Sequence, residues 1–206
     1  MRKGIAIATA LALTLAACGT GLEQSSEMST EGSPQTANRA MEGVEIGDRL
    51  PTDIRRVSII VRDMENSLAF YRDVLGMEIN YDTEVELSGV NLPVGEPGTK
   101  ARLVLLNGND PYLGWVGLLH PFEPELAGND EPYATRLAPG TAFMVVNTDD
   151  AETACEAATK IEGVTMTGPT RLQVYPGRDG RPDIEVRGCN VFDPNGVAVE
   201  INQLLN

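Results

Sequence analysis

The chain has 206 residues, 42% of them hydrophobic, and a formal net charge of −14. That length bounds it to one globular domain, or a doubled one, plus a tail, and the apolar share suffices for a core. The excess of acid argues against nucleic acid as a partner, because a polyphosphate backbone needs a basic face.

Residues 1–18, MRKGIAIATALALTLAAC, carry Arg2 and Lys3, then an apolar run, then small residues before Cys18. The run is too short to span a bilayer and reads as a secretory signal. LAAC resembles the bacterial lipobox, in which the cysteine is lipidated and becomes the mature N-terminus; the bland alternative is a plain signal with an incidental cysteine. On the lipobox reading, residues 1–17 are a signal peptide and acyl chains on Cys18 anchor the protein without spanning the membrane. Residues 18–50 are rich in Ser, Thr, Gly, Glu and Gln and lack a sustained apolar period. Such a segment buries too little surface to offset its ordering entropy, so it reads as a flexible tether. The expected location is the bacterial cell envelope, with the domain facing the periplasm. Gly19, rather than an aspartate, after Cys18 points to the outer membrane by analogy with enteric sorting.

From residue 51 the character changes to a domain that runs to 206. RVSIIVR is a β-branched run and predicts a buried strand. In DMENSLAFYRDVLG, Asp63 stands at an N-cap position, with Asn66 rather than an acid or glutamine three residues on. Met64, Leu68, Tyr71, Val74 and Leu75 recur at helical spacing, and Gly76 is a natural helix stop. MEINYDTEVEL, ARLVLLNG and GWVGLLH read as strands, with a Gly- and Pro-rich loop after the first of them. The second half repeats the order. GTAFMVVNT is a strand, DDAETACEAATKIEG a helix, VTMTG a short strand and RLQVYPGRDGRPD a loop. IEVRGCNVF and VAVEINQ are strands around the turn DPNG. The order β-α-β-β-β thus occurs twice, with strand starts about 85 residues apart. Cys155 falls in the second helix and Cys189 in a strand. An exported protein could pair them, but two small buried hydrophobes is the heavier reading, and the pairing stays open. No Cys-x-x-Cys or zinc-like spacing is present.

The pattern resembles the vicinal oxygen chelate superfamily, which includes glyoxalase I, bleomycin-resistance proteins and extradiol dioxygenases. The stretches VSIIVRDMENSLAFYRDVLGMEI and FDPNGVAVEINQ carry the resemblance, one in each half. The fold it implies is α+β: two βαβββ modules, about 53–122 and 138–204, forming a curled mixed sheet around a concave pocket. In metal-using members, His, Gln or Glu side chains on the first and fourth strands of each module hold one divalent ion that polarises substrate oxygens. The corresponding positions here are Arg56, Gly117 (or Leu118 if the register shifts by one), Thr141 and Glu200. Arginine stays protonated and has no lone pair to give, Gly and Leu offer no donor, and threonine is a weak ligand. One carboxylate cannot hold a transition metal alone, so no cofactor is expected. Arg56 would replace the metal's charge, pairing with Glu200 across the pocket floor or binding an anion.

The remaining candidates are weaker. Trp115 and Tyr112 could line the pocket, though core packing suits them better. His120 faces away from Gly117 by strand alternation and reads as a surface residue at a strand end; in the shifted register, with Leu118 toward the pocket, it would face the pocket too, where a catalytic base is the lesser reading. Arg178, Arg181 and Arg187 could guide an anion or belong to a solvated loop. The acids Glu123, Glu125, Asp130 and Glu131 read as a soluble face.

The leading expectation is a membrane-tethered, metal-free module that binds a small molecule. The alternatives are a divergent glyoxalase-type lyase, isomerase or dioxygenase using Glu200, with one divalent metal, and an envelope interaction protein that uses the fold as scaffold. Some members of the superfamily assemble their pocket across a dimer, so the resemblance also allows a homodimer.

Overall fold

A computed structural model describes residues 52–90, 92, 94–123 and 135–205. The signal, Cys18, the tether, Glu125, Asp130 and Glu131 lie outside the described residues.

The first strand, β1 (Arg56–Ile60), alternates as its sequence dictates: Ile59 is buried on one face, Arg56 and Ser58 are exposed on the other. Asp63 ends the strand and caps helix α1 (Met64–Leu68), its carboxylate accepting the Asn66 N–H at 2.8 Å. The helix then widens into a π-helical turn, Ala69–Val74, before Gly76 closes it with φ +71°. The widened turn lets the neighbours Phe70 and Tyr71 both bury fully. Three strands complete the module: β2 (Glu78–Glu86), β3 (Lys100–Asn107) and β4 (Trp115–Pro121). The second module repeats the order as β5 (Phe143–Asn147), α2 (Ala151–Ala158), β6 (Thr165–Tyr175), β7 (Ile184–Phe192) and β8 (Ala198–Leu204).

Each module forms a four-stranded sheet, ordered β1-β4-β3-β2 and β5-β8-β7-β6. In each, the first strand pairs in parallel with the last and the other pairs are antiparallel. The α+β expectation and its doubled unit are therefore met. One boundary differs: β6 runs on to Tyr175 through a segment expected to be a loop. Pro169 lacks a donor, but β6 is an edge strand and its register slips around Gly168 and Arg171, so the missing N–H disrupts no ladder.

The helix-side faces of both sheets share one core. Ile59, Tyr71 and Leu118 belong to the same buried cluster as Cys155, Val191 and Ile201. Cys155 and Cys189 are disulfide-bonded, tying α2 to β7 and correcting the heavier reading of two unpaired thiols. The DPNG turn is more than a turn. The Asp193 carboxylate takes the Tyr71 hydroxyl at 2.9 Å, Asn195 Oδ1 takes the Arg62 N–H at 3.1 Å, and Asn195 Nδ2 donates to Ser67 Oγ at 3.1 Å. The turn of the second module is thereby bonded to the first helix.

Candidate functional site

Because Val116 and Leu118 enter the shared core, alternation turns Gly117 and Leu119 to the opposite, open face of the first sheet. That settles the register: Gly117, not Leu118, shares a face with Arg56. The two are closely matched. A Cβ built on Gly117 would lie 3.0 Å from Ser58 Oγ and 3.2 Å from both Arg56 Cδ and Leu105 Cδ2. The glycine therefore leaves a slot in which the Arg56 stem lies across the sheet.

On the second sheet, Val199 and Ile201 enter the core, so Glu200 and Asn202 face the open side. Glu200 is half-buried and accepts from Asn202 Nδ2 at 3.0 Å. No ion pair joins it to Arg56 among the described residues, so the predicted Arg56–Glu200 pair is not formed. The two residues sit on separate sheets, and Glu200 finds its hydrogen bond two residues along its own strand.

Thr141 is also misassigned by sequence. It precedes β5, exposed in a turn where its hydroxyl accepts the Ala138 N–H at 3.0 Å. Ser58 pairs with Gly117 as Val145 pairs with Glu200. Two residues back along each strand, the position equivalent to Arg56 is therefore Phe143. The Phe-Met-Val-Val alternation already marked that strand, but the Gly140–Thr141 start placed it too early.

Trp115 is nearly buried, and its indole N–H donates to the Asp110 carbonyl at 3.3 Å. Asp110 in turn accepts the N–H groups of Tyr112 and Leu113, both at 2.7 Å. This fold of the β3–β4 loop brings the Arg55 guanidinium over the Tyr112 ring at 5.0 Å and the Trp115 ring at 6.0 Å. Arg55 is a residue that sequence reasoning missed; its place between Ile54 and the strand carried no signal of aromatic neighbours. Beside it a groove of about 980 Å³ opens, bordered by Arg56, Trp115, Phe143, Val145 and Asn147 among others. It joins the start of β1 to the length of β5.

His120 points to the helix side, where Nδ1 lies 3.1 Å from the Val61 carbonyl, as expected of a strand-end residue away from Gly117. The arginines of the second module do not form one cluster. Arg178 and Arg181 line a hollow at the tip of the β6–β7 hairpin, while the charge of Arg187 acts on Asp150, the N-cap of α2. The deepest titratable pair, Tyr71 and Asp193, is structural in position. Burial raises the Tyr71 hydroxyl well above its ordinary value and also raises Asp193, which hydrogen bonds from Val197, Asn195 and Tyr71 pull back down.

The donor set does not fit a chelated metal. Arg56, Gly117, Phe143 and Glu200 occupy the four positions and contribute one carboxylate, with a guanidinium in the place of a neutral donor. Among the described residues no three His, Cys, Asp or Glu side chains gather where an ion could bind.

Residues 53–201 match the family described as the Glyoxalase/Bleomycin resistance protein/Dioxygenase superfamily. A glyoxalase family protein from Bacillus cereus is 17% identical, over 79% of this chain and 100% of its own, with a TM-score of 0.57. A glyoxalase I mutant from Zea mays is 19% identical over 72% of this chain and 45% of its own, with a TM-score of 0.44. Glyoxalase I from Leishmania major is 16% identical over 74% of this chain and 86% of its own, with a TM-score of 0.43. No curated protein matches the chain. At these identities the likeness to solved structures is one of fold.

Proposed function

The chain belongs to the glyoxalase/bleomycin resistance protein/dioxygenase superfamily, and from that premise we propose that it is a small-molecule-binding module that works without a chelated metal. The observation that carries this reading is Arg56. Its stem lies in the slot over Gly117, and its guanidinium faces the open side of the sheet. A permanently charged cation with a planar fork recognises a carboxylate or phosphate bidentately. Trp115 and Phe143 along the adjoining groove supply apolar wall for the rest of a ligand. In a superfamily whose members bind small molecules and often form dimers, a homodimer that covers the groove belongs to the same reading; analytical ultracentrifugation checks it.

The reading extends to location. A buried disulfide suits an oxidising compartment, which supports export by the N-terminal signal and anchoring through acyl chains on Cys18. Among the described residues no helix is long and apolar enough to cross a membrane.

Protein purified without chelator is expected to carry far less than one metal ion per chain by elemental analysis. Small carboxylates or organophosphates are expected to raise its Tm, and Arg56→Ala to abolish that shift. Stoichiometric zinc, nickel, iron or manganese, released by Glu200→Ala, would overturn the reading in favour of a glyoxalase-type lyase, isomerase or dioxygenase. Cys18→Ala is expected to move the protein from membrane to soluble fractions; retention on membranes would contradict the tether.

A further inference from the structure

The open face of the second sheet holds a hollow of its own. Phe143, Ala198 and Phe192 are cross-strand partners in one row over β5, β8 and β7. A small side chain between two rings leaves a notch. A cavity of about 450 Å³ opens there, with Leu137 as a further apolar wall.

The polar groups at this cavity are donors. Asn190 on β7 lines it and stands opposite Gly168 on β6. Gly168 has no side chain, and the point where a Cβ would stand lies 3.1 Å from Asn190 Nδ2 and 3.4 Å from Arg171 Nη1. Two donors thus flank one bare spot on the sheet, beside the cavity. Arg136, on the segment before β5, lines the cavity next to Leu137. Neither Arg136 nor Arg171 forms an ion pair among the described residues. Acidic side chains outnumber basic ones 30 to 16 in this chain, yet these two guanidinium groups are left without a carboxylate. Glu200, the carboxylate on this face, stands on β8, across Asn190 from Gly168, and does not line the cavity. An apolar hollow rimmed by unspent cationic donors is complementary to an anion with an apolar body.

We propose that this hollow is a second binding subsite, selective for a monocarboxylate with an aromatic body. The ring lies over Ala198, between Phe143 and Phe192. The carboxylate accepts from Arg171 and from Asn190 Nδ2, and Arg136 supplies the second positive charge. The subsite rests on the small-molecule-binding reading but makes no use of Arg56.

The test titrates the full chain and its Arg56→Ala variant by calorimetry with phenylacetate, phenylacetamide and acetate. Phenylacetate is expected to bind the Arg56→Ala variant. The amide keeps the shape without the charge and is expected to bind it at least about tenfold more weakly, as the loss of charge-assisted hydrogen bonds predicts. Acetate lacks the body and is also expected to bind that variant at least about tenfold more weakly. Arg171→Gln or Arg136→Gln, each added to Arg56→Ala, is expected to weaken phenylacetate by about tenfold and the amide by less. Both arginines are exposed, so neither substitution threatens the fold. If phenylacetate binding disappears with Arg56→Ala, if the amide or acetate binds that variant as tightly as phenylacetate, or if either added substitution leaves phenylacetate unchanged, the inference is overturned. The Arg56 site is judged by the acetate response of the native chain against Arg56→Ala, so the two sites fail in different measurements.

Discussion

Arg56 and Gly117 are adjacent only in the folded chain, and neither makes sense alone. Gly117 is an unremarked residue in an apolar run, yet its missing side chain is what gives the Arg56 stem its slot. Gly117→Ala needs its neighbours to yield by only a few tenths of an ångström, and Arg56 and Ser58 are both exposed and able to move. Gly117→Val forces a larger displacement. We expect it to cost about 1–3 kcal/mol in urea unfolding, and to weaken anion binding more than Gly117→Ala does. Tyr71 and Asp193 form the other pair that matters at this scale. Asp193 has a raised pKa chiefly through burial, so the folded state holds its proton to higher pH than the unfolded chain does. Its contribution to stability is full below the ordinary carboxylate range and is lost as pH rises through the folded value. The Tyr71 hydroxyl lowers that value by donating to the ionised form. Tyr71→Phe is therefore expected to cost about 1–3 kcal/mol at a pH where the carboxyl is ionised and less below the ordinary carboxylate range, where it is protonated. Equal losses at both pH values in denaturant titrations would show that the ionised carboxylate is not what Tyr71 serves.

At the scale of elements, local signals and long-range packing divide the work. Asp63 and Gly76 bound the first helix as their chemistry dictates. The helical stripe omitted Phe70, because α-periodicity does not anticipate a π-turn. In β6, the Leu172 and Val174 alternation was present but was overridden by Gly168 and Pro169, which the edge position tolerates. The disulfide fixes α2 onto β7 across a separation of 34 residues. A crosslink of that loop length is worth about 3–4 kcal/mol through the unfolded chain. Cys189→Ala is accordingly expected to lower the unfolding free energy from urea titration by that amount relative to the oxidised protein. A variant as stable as wild type would mean that the bridge is not formed in the protein as isolated.

Across the whole molecule, two modules of repeated order share a single core. Ile59 and Leu118 from one half and Val191 and Ile201 from the other lie in the same cluster, and the DPNG turn bonds back to the first helix. Neither half can bury its helix-side face alone. A chain beginning at residue 45 is expected to stay soluble and unfold in one transition, whereas residues 45–123 alone are expected to lack a cooperative transition by circular dichroism. Two separated transitions in the longer chain would show that the modules are independent.

The doubled βαβββ order, the helix limits, the faces of β4 relative to one another and the DPNG turn were all legible in the sequence, because each rests on interactions between residues close along the chain. The lone carboxylate among the four pocket positions was legible too, since donor chemistry belongs to the residue type. Four things were decided only by tertiary structure. The core chose Gly117 over Leu118 for the open face, because alternation relates neighbouring faces but does not say which one meets the helices. The ladder with β8 set Phe143 in place of Thr141. The approach of α2 to β7 brought Cys155 and Cys189 within bonding distance. Finally, the placement of Arg56 and Glu200 on different sheets left Glu200 to Asn202 and Arg56 without an ion pair among the described residues, because a pairing between residues remote in sequence depends on the distance that the whole fold imposes and on nothing local to either.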